Sequence, residues 1–305
     1  MNDLRIIFMG TPQFAVPSLE ILVEHNFNVV AVITAPDKPQ GRGQKLAASP
    51  VKECALKYSI PVLQPTNLKA AAFTEELKSY NANLQVVVAF RMLPETVWSM
   101  PEFGTFNLHA SLLPQYRGAA PINWAIINGE KETGVTTFFL KQEIDTGSII
   151  FQEKEPIDAT DDAGTLYTRL MHKGASLVLK TVQAIQSGHY PLLPQRESTD
   201  LKPAPKIFKE TCRINWNQPA EQVYNLVRGL SPYPGAWTLF NNKPYKIFKT
   251  EVLSNQPQAE AGSVQTDNKT YLYVHTSSGC ISVIELQPEG KRKMNITEFF
   301  RGNKL

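Results

Sequence analysis

Two residues that suit acyl-transfer chemistry lie close together in the stretch FNLHASLLPQYRGAAP, residues 106–121. Asn107 and His109 are two positions apart, and on an extended segment this spacing puts both side chains on the same face. A neutral amide can donate to an oxygen that becomes negative, while an imidazole moves protons near neutral pH. Asp145, in the stretch EIDTG, is a candidate carboxylate for the same site. Within hydrogen-bonding distance of His109, this carboxylate would orient the imidazole.

The residues that follow His109 predict a bend against this site. Ser111, Pro114 and Gly118 lie between two apolar runs together with one arginine. This composition is typical of a loop, and loops on a rigid frame often carry functional residues. Sharp turns are where cis proline occurs, so the Leu113–Pro114 peptide bond is a candidate for the cis form, which the family resemblance described below also implies. A histidine between apolar residues is more often structural than catalytic, so the residues alone leave both interpretations of His109 open.

The elements that must position these residues are those of a parallel α/β domain. Apolar runs predict a strand at 5–9, a helix at 19–23, and further strands at 29–33 and 84–90. The order strand, helix, strand implies a right-handed crossover and a parallel sheet. In such sheets ligands bind beyond the carboxyl ends of the strands. We therefore expect the loops after Phe8, Phe90 and Phe106 to converge on one crevice.

The turn after the first strand argues against a dinucleotide-binding enzyme. Its sequence is GTPQFAVP, which lacks the pattern G-x-G-x-x-G. The glycines that allow a backbone to approach a pyrophosphate closely are therefore missing. Nicotinamide chemistry is disfavoured on this ground.

A basic segment, PDKPQGRGQKL at residues 36–46, follows the second strand. Its two prolines and two glycines predict an irregular, solvated loop. The cations of this segment, Lys38, Arg42 and Lys45, outnumber its single acid. Ser49 is predicted to cap the helix that begins directly after it.

The last third of the chain predicts a separate basic domain. A long helical pattern ends near Gly188, and residues 189–206 contain four prolines, which predicts an extended linker. A helix at 220–230 and several short strands beyond it indicate a small barrel. The predicted domains are a catalytic domain at 1–188, the linker at 189–206 and a barrel domain at 207–305. Residues 206–305 carry 13 Lys and Arg against 8 Asp and Glu, a net charge of +5 that suits an anionic partner.

The composition is that of an ordinary globular protein. The chain has 305 residues, 42% of them hydrophobic and 19% charged, which is enough for two cores. No stretch approaches the roughly 20 apolar residues of a membrane span, and MNDLRIIFMG is unlike a signal peptide. We therefore expect a cytoplasmic monomer. The three cysteines, Cys54, Cys212 and Cys280, are too scattered to indicate a disulfide framework or a metal site.

Four separated blocks of this sequence resemble the 10-formyltetrahydrofolate-dependent formyltransferases. They occur in the family's order, as NLH at 107–109, SLLP at 111–114, YRG at 116–118 and DTG at 145–147. The resemblance implies an α/β fold, with a Rossmann-like formyltransferase domain built on a mostly parallel sheet, followed by a small OB-like β-barrel domain. It also implies formyl transfer from 10-formyltetrahydrofolate without a metal. The segment GTPQFAVPSL, the basic segment 36–46 and SPYPGAW at 231–237 resemble the members that formylate initiator methionyl-tRNA.

The resemblance also implies roles for individual residues. Asn107, His109 and Asp145 match the catalytic group. The residues expected to contact tetrahydrofolate are Ser111, Leu112, Leu113 and Pro114. The residues expected to contact tRNA are Lys38, Arg42 and Lys45. One departure is Arg91, which stands where a small glycine-bearing turn is expected and puts the lining of the pterin pocket in doubt.

Two other functions remain open at the level of sequence. The first is a formyltransferase for another amine, such as glycinamide ribonucleotide or an amino-sugar nucleotide. Such an enzyme would not need both the basic segment 36–46 and a basic barrel. The second is a noncatalytic nucleic-acid-binding protein built on a degenerate α/β domain. The presence of Asn107, His109 and Asp145 together argues against it.

Overall fold

A computed structural model of the chain describes residues 2–40, 45–196, 199–254, 257 and 259–305. The chain divides into two compact units. Unit 1 consists of Met1–Arg117, Gly134–Glu155 and Tyr167–Pro203, and unit 2 of Gly118–Thr133, Pro156–Leu166 and Ala204–Leu305. No helix among the described residues is long and apolar enough to cross a membrane.

The first part of the chain alternates strands and helices. Its strands are β1 (Arg5–Gly10), β2 (Asn28–Ile33), β3 (Lys38–Gln40), β4 (Lys45–Ala47), β5 (Val62–Leu63), β6 (Leu84–Val88), β7 (Thr105–His109), β8 (Glu132–Phe139) and β9 (Ile149–Pro156). Its helices are α1 (Val16–Glu24), α2 (Pro50–Lys57), α3 (Ala71–Ser79), α4 (Glu95–Trp98), α5 (Pro121–Ile127) and α6 (Ala163–Ser187). A single 3-10 turn, Gln13–Ala15, precedes α1.

Seven of these strands form one mostly parallel sheet in the order β5-β2-β1-β6-β7-β8-β9. Strands β5, β2, β1, β6 and β7 run parallel, while β8 is antiparallel to β7. Their continuous apolar runs bury both faces of the sheet, with Ile6 and Phe8 on one face and Ile7 and Met9 on the other, all at most 1% exposed. The predicted fold of this domain is therefore confirmed. Because β1, β6 and β7 are parallel neighbours, the loops that follow them all leave the sheet at the carboxyl ends of the strands, as expected.

The basic segment is more regular than its composition predicted. Strands β3 and β4 form an antiparallel hairpin in which Pro39 pairs with Leu46. The expectation of an irregular loop was wrong at these positions. Proline has no backbone N–H, but an edge strand tolerates it where that N–H is not needed for the hydrogen bonds between strands. Arg42, at the centre of the segment, lies outside the described residues. The cap on α2 is confirmed, since the Ser49 hydroxyl oxygen accepts from the Lys52 amide at 3.1 Å.

The second unit contains the predicted helix and an antiparallel sheet. Its elements in the last third are α7 (Ala220–Gly229), β10 (Ala236–Phe240), β11 (Lys243–Leu253), β12 (Val264–Thr266), β13 (Leu272–His275), β14 (Cys280–Pro288), β15 (Met294–Asn295) and α8 (Ile296–Phe300). The strands follow the order β10-β11-β14-β13-β12, and β15 pairs with β14. The register of β11 against β14 shifts on both sides of Lys249. Such irregularities increase twist, and the sheet curls into a half-barrel consistent with the OB-like domain expected.

The described residues of the segment 189–206 contain no helix, and part of this segment pairs with other parts of unit 1. Leu193 and Ile149 exchange backbone hydrogen bonds of 2.8 and 2.9 Å. The amide of Tyr116 donates to the carbonyl oxygen of Lys202 at 2.7 Å. The division into domains at 1–188 and 207–305 remains a prediction. Up to Pro203, however, this segment belongs to the same compact unit as β7 and β9.

Candidate active site

Asn107 lies near the carboxyl end of β7, between β6 and β8. It pairs with Val87 on one side and Phe138 on the other, so its backbone is held in the interior of the sheet. Its side chain is half-buried and makes no hydrogen bond to any described residue. A fixed strand thus presents an amide N–H donor that the described part of the protein does not use.

His109 is the last residue of β7, and its imidazole is buried. The Nε2 atom lies 2.8 Å from the backbone carbonyl oxygen of Tyr116. A carbonyl can only accept, so Nε2 carries a proton and donates it to this hydrogen bond. The other ring nitrogen, Nδ1, lies 3.8 Å from Oδ2 of Asp145. Nδ1 is therefore the nitrogen available to exchange a proton.

Asp145 comes from the loop between β8 and β9. Its side chain is only 13% exposed, and its backbone is in the left-handed region at φ 55°. Gly147, two residues later, has no space for a side chain, because a Cβ atom there would overlap the carbonyl oxygen of Phe139. The loop is thus fixed close to the sheet, and the three residues predicted to be catalytic come together at one edge.

The residues predicted to contact tetrahydrofolate are held by bonds within the protein. The Ser111 hydroxyl donates to the carbonyl oxygen of Gln115 at 2.6 Å. The Thr136 hydroxyl donates to the carbonyl oxygen of Ser111 at 2.6 Å, and its oxygen accepts from the Leu113 amide at 3.2 Å. The Gln152 side-chain amide donates to the carbonyl oxygen of Leu113 at 2.9 Å. These bonds preorganise the loop.

Two members of the same loop are left with apolar surface at the site. Leu112 and Pro114 are half-buried, and the Leu113–Pro114 peptide is cis, as predicted. Sequence analysis missed Thr136 and Gln152, which brace the loop from β8 and β9. For Thr136 the available signal was a polar residue inside a strand that is otherwise mostly buried, whereas Gln152 lies in a partly exposed strand and gave no such signal.

Arg91 turns toward the loop after β5. Its guanidinium donates to the carbonyl oxygens of Pro65 and Thr66, the latter at 3.0 Å. It also lies over the ring of Phe90, at 5.7 Å from the centroid. With residues 66–69 it lines a surface cleft of about 440 Å³. Arg91 thus fastens one loop to another at the edge of the sheet.

Two of the residues predicted to contact tRNA, Lys38 and Lys45, lie in strands β3 and β4. Lys38 begins β3 and is exposed, and Lys45 begins β4. The described residues do not include Arg42. Cations also gather on unit 2, around one aromatic ring. The side chains of Lys209 and Arg213 lie 5.8 and 5.5 Å from the ring centroid of Trp237.

The described residues contain no group of three His, Cys, Asp or Glu side chains that could hold a metal ion. All three cysteines are buried and unpaired. Burial raises the pKa of the Cys54 thiol to about 11. This thiol is therefore protonated at neutral pH and unsuited to act as a nucleophile.

The sequence matches two family models that together cover most of the chain. One is described as formyl transferase and matches residues 4–182, and the other as formyl transferase, C-terminal domain, and matches residues 206–304. The methionyl-tRNA formyltransferase of Bacteroides fragilis is 54% identical over 309 residues, covering 99% of this chain and 95% of that protein. The methionyl-tRNA formyltransferase of Phocaeicola vulgatus is 56% identical over 311 residues, covering 99% and 96%.

Solved structures share the fold at lower identity. An N-formyltransferase from Helicobacter canadensis, solved with folinic acid and dTDP-3-aminofucose, matches with a TM-score of 0.70 and 22% identity. The match covers 93% of this chain and 99% of that one. At this identity the comparison concerns the fold alone.

Proposed function

The chain belongs to the formyl transferase family, and we propose that it transfers the formyl group of 10-formyltetrahydrofolate to the α-amine of methionyl-tRNA. The observation that carries this proposal is sequence identity. More than half of the aligned residues are identical to those of each of two methionyl-tRNA formyltransferases, along nearly the whole chain. The geometry of Asn107, His109 and Asp145 supports the same reaction class. A free amide donor beside a buried, oriented imidazole is what acyl transfer to an amine requires.

The residues present fit a folate donor. Leu112 and Pro114 offer apolar surface for a flat ligand, and the unused amide of Asn107 lies on the adjacent strand. When bound, 10-formyltetrahydrofolate supplies the activated formyl carbon. Ser111 and Leu113 are expected to act on the folate by shaping the loop that binds it. The Ser111 hydroxyl and both backbone groups of Leu113 are already hydrogen-bonded within the protein.

Each residue of the catalytic group has a distinct part in the reaction. The α-amine attacks the formyl carbon, so a C–N bond forms and the formyl oxygen gains negative charge. Asn107 donates to this oxygen, a contribution of about 10²- to 10³-fold in rate. His109 accepts the amine proton through Nδ1 and delivers it to the departing folate nitrogen, a contribution of about 10²- to 10⁴-fold. Asp145 orients the imidazole and stabilises its transient positive charge.

The large anionic substrate accounts for the distribution of charge. Residues 206–305 have a net charge of +5, with 13 Lys and Arg against 8 Asp and Glu. Exposed cations beside Trp237 in unit 2 suit phosphates and bases together. The cations of the basic segment 36–46, which are Lys38, Arg42 and Lys45, would bind the acceptor end of the tRNA. We place the enzyme in the cytoplasm, where charged tRNA is used, as a monomer.

The deciding experiment measures formyl transfer to four acceptors. Initiator methionyl-tRNA should be formylated, while elongator methionyl-tRNA, free methionine and a dTDP-linked amino sugar should react far more slowly. Preference for the amino-sugar nucleotide would identify a formyltransferase for another amine. Binding of tRNA without turnover of 10-formyltetrahydrofolate would instead identify a noncatalytic nucleic-acid-binding protein.

A further inference from the structure

The side chain of Gln195 joins two loops of the candidate active site. Its Nε2 atom donates to the carbonyl oxygen of Asp145 at 2.7 Å and to that of Gly147 at 2.9 Å. Its Oε1 atom accepts from Nε and Nη2 of Arg117, at 3.0 and 2.5 Å. Residue 195 lies in the segment that composition predicted to be a linker. Its contacts are those of a clamp on the loop that carries the carboxylate.

The orientation of this carboxamide is determined by its neighbours. A guanidinium has only donors, and peptide carbonyls only accept. Reversing the carboxamide of Gln195 would place its N–H groups against the N–H donors of Arg117. It would also place its oxygen against the carbonyl oxygens of Asp145 and Gly147. In the orientation observed, each N–H has one acceptor, and the oxygen receives two hydrogen bonds. The clamp therefore needs both an acceptor end and a donor end at position 195.

The same segment also contacts the loop that holds the other side of the imidazole. The Tyr116 amide donates to the carbonyl oxygen of Lys202 at 2.7 Å. The Tyr116 carbonyl oxygen in turn accepts from Nε2 of His109 at 2.8 Å. Arg117 follows directly, and its guanidinium reaches Gln195. Gln195 and Lys202 thus support the two loops that hold the partners of His109.

We propose that Gln195 is a positioning residue that holds the Asp145 carboxylate toward Nδ1 of His109. Asp145 has a φ of 55°, a conformation that side-chain-bearing residues rarely adopt without support. The two hydrogen bonds from Gln195 on either side of Thr146 provide that support. The proposal rests on the catalytic role of Asp145 in the proposed function. It assigns an active-site task to a segment outside the family's central motifs.

The variant that isolates this task is Gln195→Glu. It keeps the size of the side chain and the pair with Arg117, but replaces the two donors by an oxygen that repels the carbonyls of Asp145 and Gly147. The matched control is Gln287→Glu. It makes the same substitution, with the same change in charge, at a side-chain amide of unit 2 that donates to the carbonyl oxygen of Lys291 at 2.7 Å.

The first measurement is the single-turnover rate of formyl transfer, with KM for both substrates. Gln195→Glu should lower kcat about 10- to 100-fold with little change in KM, since a small displacement of a reacting group has effects of this size. Gln287→Glu should stay close to wild type. In an Asp145→Asn background, Gln195→Glu should add no further loss, because the group it positions is gone. Equal losses in both backgrounds, or in Gln195→Glu and Gln287→Glu, would overturn the proposal.

The second measurement does not depend on turnover. Hydrogen exchange of the peptide spanning residues 141–148 should become faster in Gln195→Glu and remain unchanged in Gln287→Glu. Unchanged exchange in Gln195→Glu would overturn the clamp. Wild-type protein that fails to transfer formyl groups would contradict the proposed function instead, and the exchange result would then decide the clamp separately.

Discussion

The backbone carbonyl oxygen of Tyr116 accepts a hydrogen bond of 2.8 Å from Nε2 of His109. Tyr116 itself adopts φ 60°, so its carbonyl is directed by an unusual backbone conformation. This bond fixes which nitrogen carries the proton. It leaves Nδ1, on the side of Asp145, as the nitrogen that serves the reaction.

The first prediction concerns His109→Gln, whose side-chain amide can still donate to the Tyr116 carbonyl but cannot exchange protons near neutral pH. The fold should be retained, while kcat falls by about 10²- to 10⁴-fold. Single-turnover transfer and thermal unfolding measure the two effects. A variant with more than a tenth of wild-type activity would remove His109 from proton transfer.

The second prediction concerns the amide of Asn107. Asn107→Ala removes a donor to the developing negative charge and should lower the transfer rate by about 10²- to 10³-fold. Asn107→Asp keeps the shape but places a negative charge there, so it should be slower still. Tetrahydrofolate binding, followed by fluorescence, should change little in Asn107→Ala. A parallel loss of binding and rate would indicate a role in ground-state binding instead.

Pattern and resemblance together identified Asn107, His109 and Asp145 from sequence as candidates for the catalytic group, and their roles stay a prediction. The spacing of Asn107 and His109 puts both side chains on one face of an extended segment, and this segment is strand β7. The parallel order of β1, β6 and β7 followed from the crossover rule, so the convergence of their loops was predictable. These features depend on residues that are close in sequence or on the chirality of the fold.

The supports of the site could not be predicted in the same way. Gln195 is 50 positions from Asp145, in a segment whose prolines indicated only an extended chain. Thr136 and Gln152 act through hydrogen bonds to backbone groups of a loop that is distant in sequence, and such bonds leave no periodic pattern. The hairpin of β3 and β4 was missed because local propensity disfavours proline in strands, whereas the edge position of Pro39 tolerates it.

The third prediction concerns the pH dependence of stability. Glu155 is 10% exposed, and its carboxylate contacts Nε of Arg169 at 2.6 Å and Nζ of Lys173 at 3.1 Å. Burial raises the pKa of Glu155, but the hydrogen bonds from Arg169 and Lys173 outweigh it and hold the pKa below its ordinary value of 4.5. A lowered folded pKa stabilises the protein above the unfolded pKa, and this contribution is lost as pH falls through the folded pKa.

Glu155→Gln should therefore lower the free energy of unfolding by about 1.5–3 kcal/mol at neutral pH. The difference between wild type and variant should narrow as pH falls from 4.5, where the carboxylate of the unfolded chain takes up a proton, through the lower pKa of Glu155 in the folded protein. Urea unfolding at several pH values measures it. A difference independent of pH would show that packing of the side chain, and not its charge, is responsible.

The fourth prediction concerns the cations beside Trp237. If Lys209 and Arg213 neutralise tRNA phosphates, the double variant Lys209→Gln/Arg213→Gln should weaken tRNA binding. The slope of log affinity against log salt should also decrease by about 1 for each lost contact. The control is Lys269→Gln, an exposed cation of the same unit. An unchanged salt slope in the double variant would exclude this part of unit 2 from the tRNA interface.

The fifth prediction concerns the basic segment 36–46 and compares its three cations, Lys38, Arg42 and Lys45. A single lysine in a salt-screened phosphate field can be replaced by neighbouring charges, so Lys38→Ala and Lys45→Ala should be mild. Arg42 offers a planar fork for a phosphate or for stacking on an unpaired base, which a lysine cannot reproduce. Gly41 and Gly43 on either side of it allow the backbone to approach RNA closely.

Arg42→Lys preserves the charge and removes only this planar group. Transfer to methionyl-tRNA should therefore fall by about 10-fold or more, since a good bidentate contact contributes about 1–3 kcal/mol. Tetrahydrofolate binding and turnover of a small amine acceptor at high concentration should remain at the wild-type level, because neither depends on the acceptor stem. These comparisons separate recognition by shape from attraction by charge. Equal and mild effects for Arg42→Lys and Lys45→Ala would mean that the hairpin contributes only charge and that tRNA selection lies elsewhere in the chain.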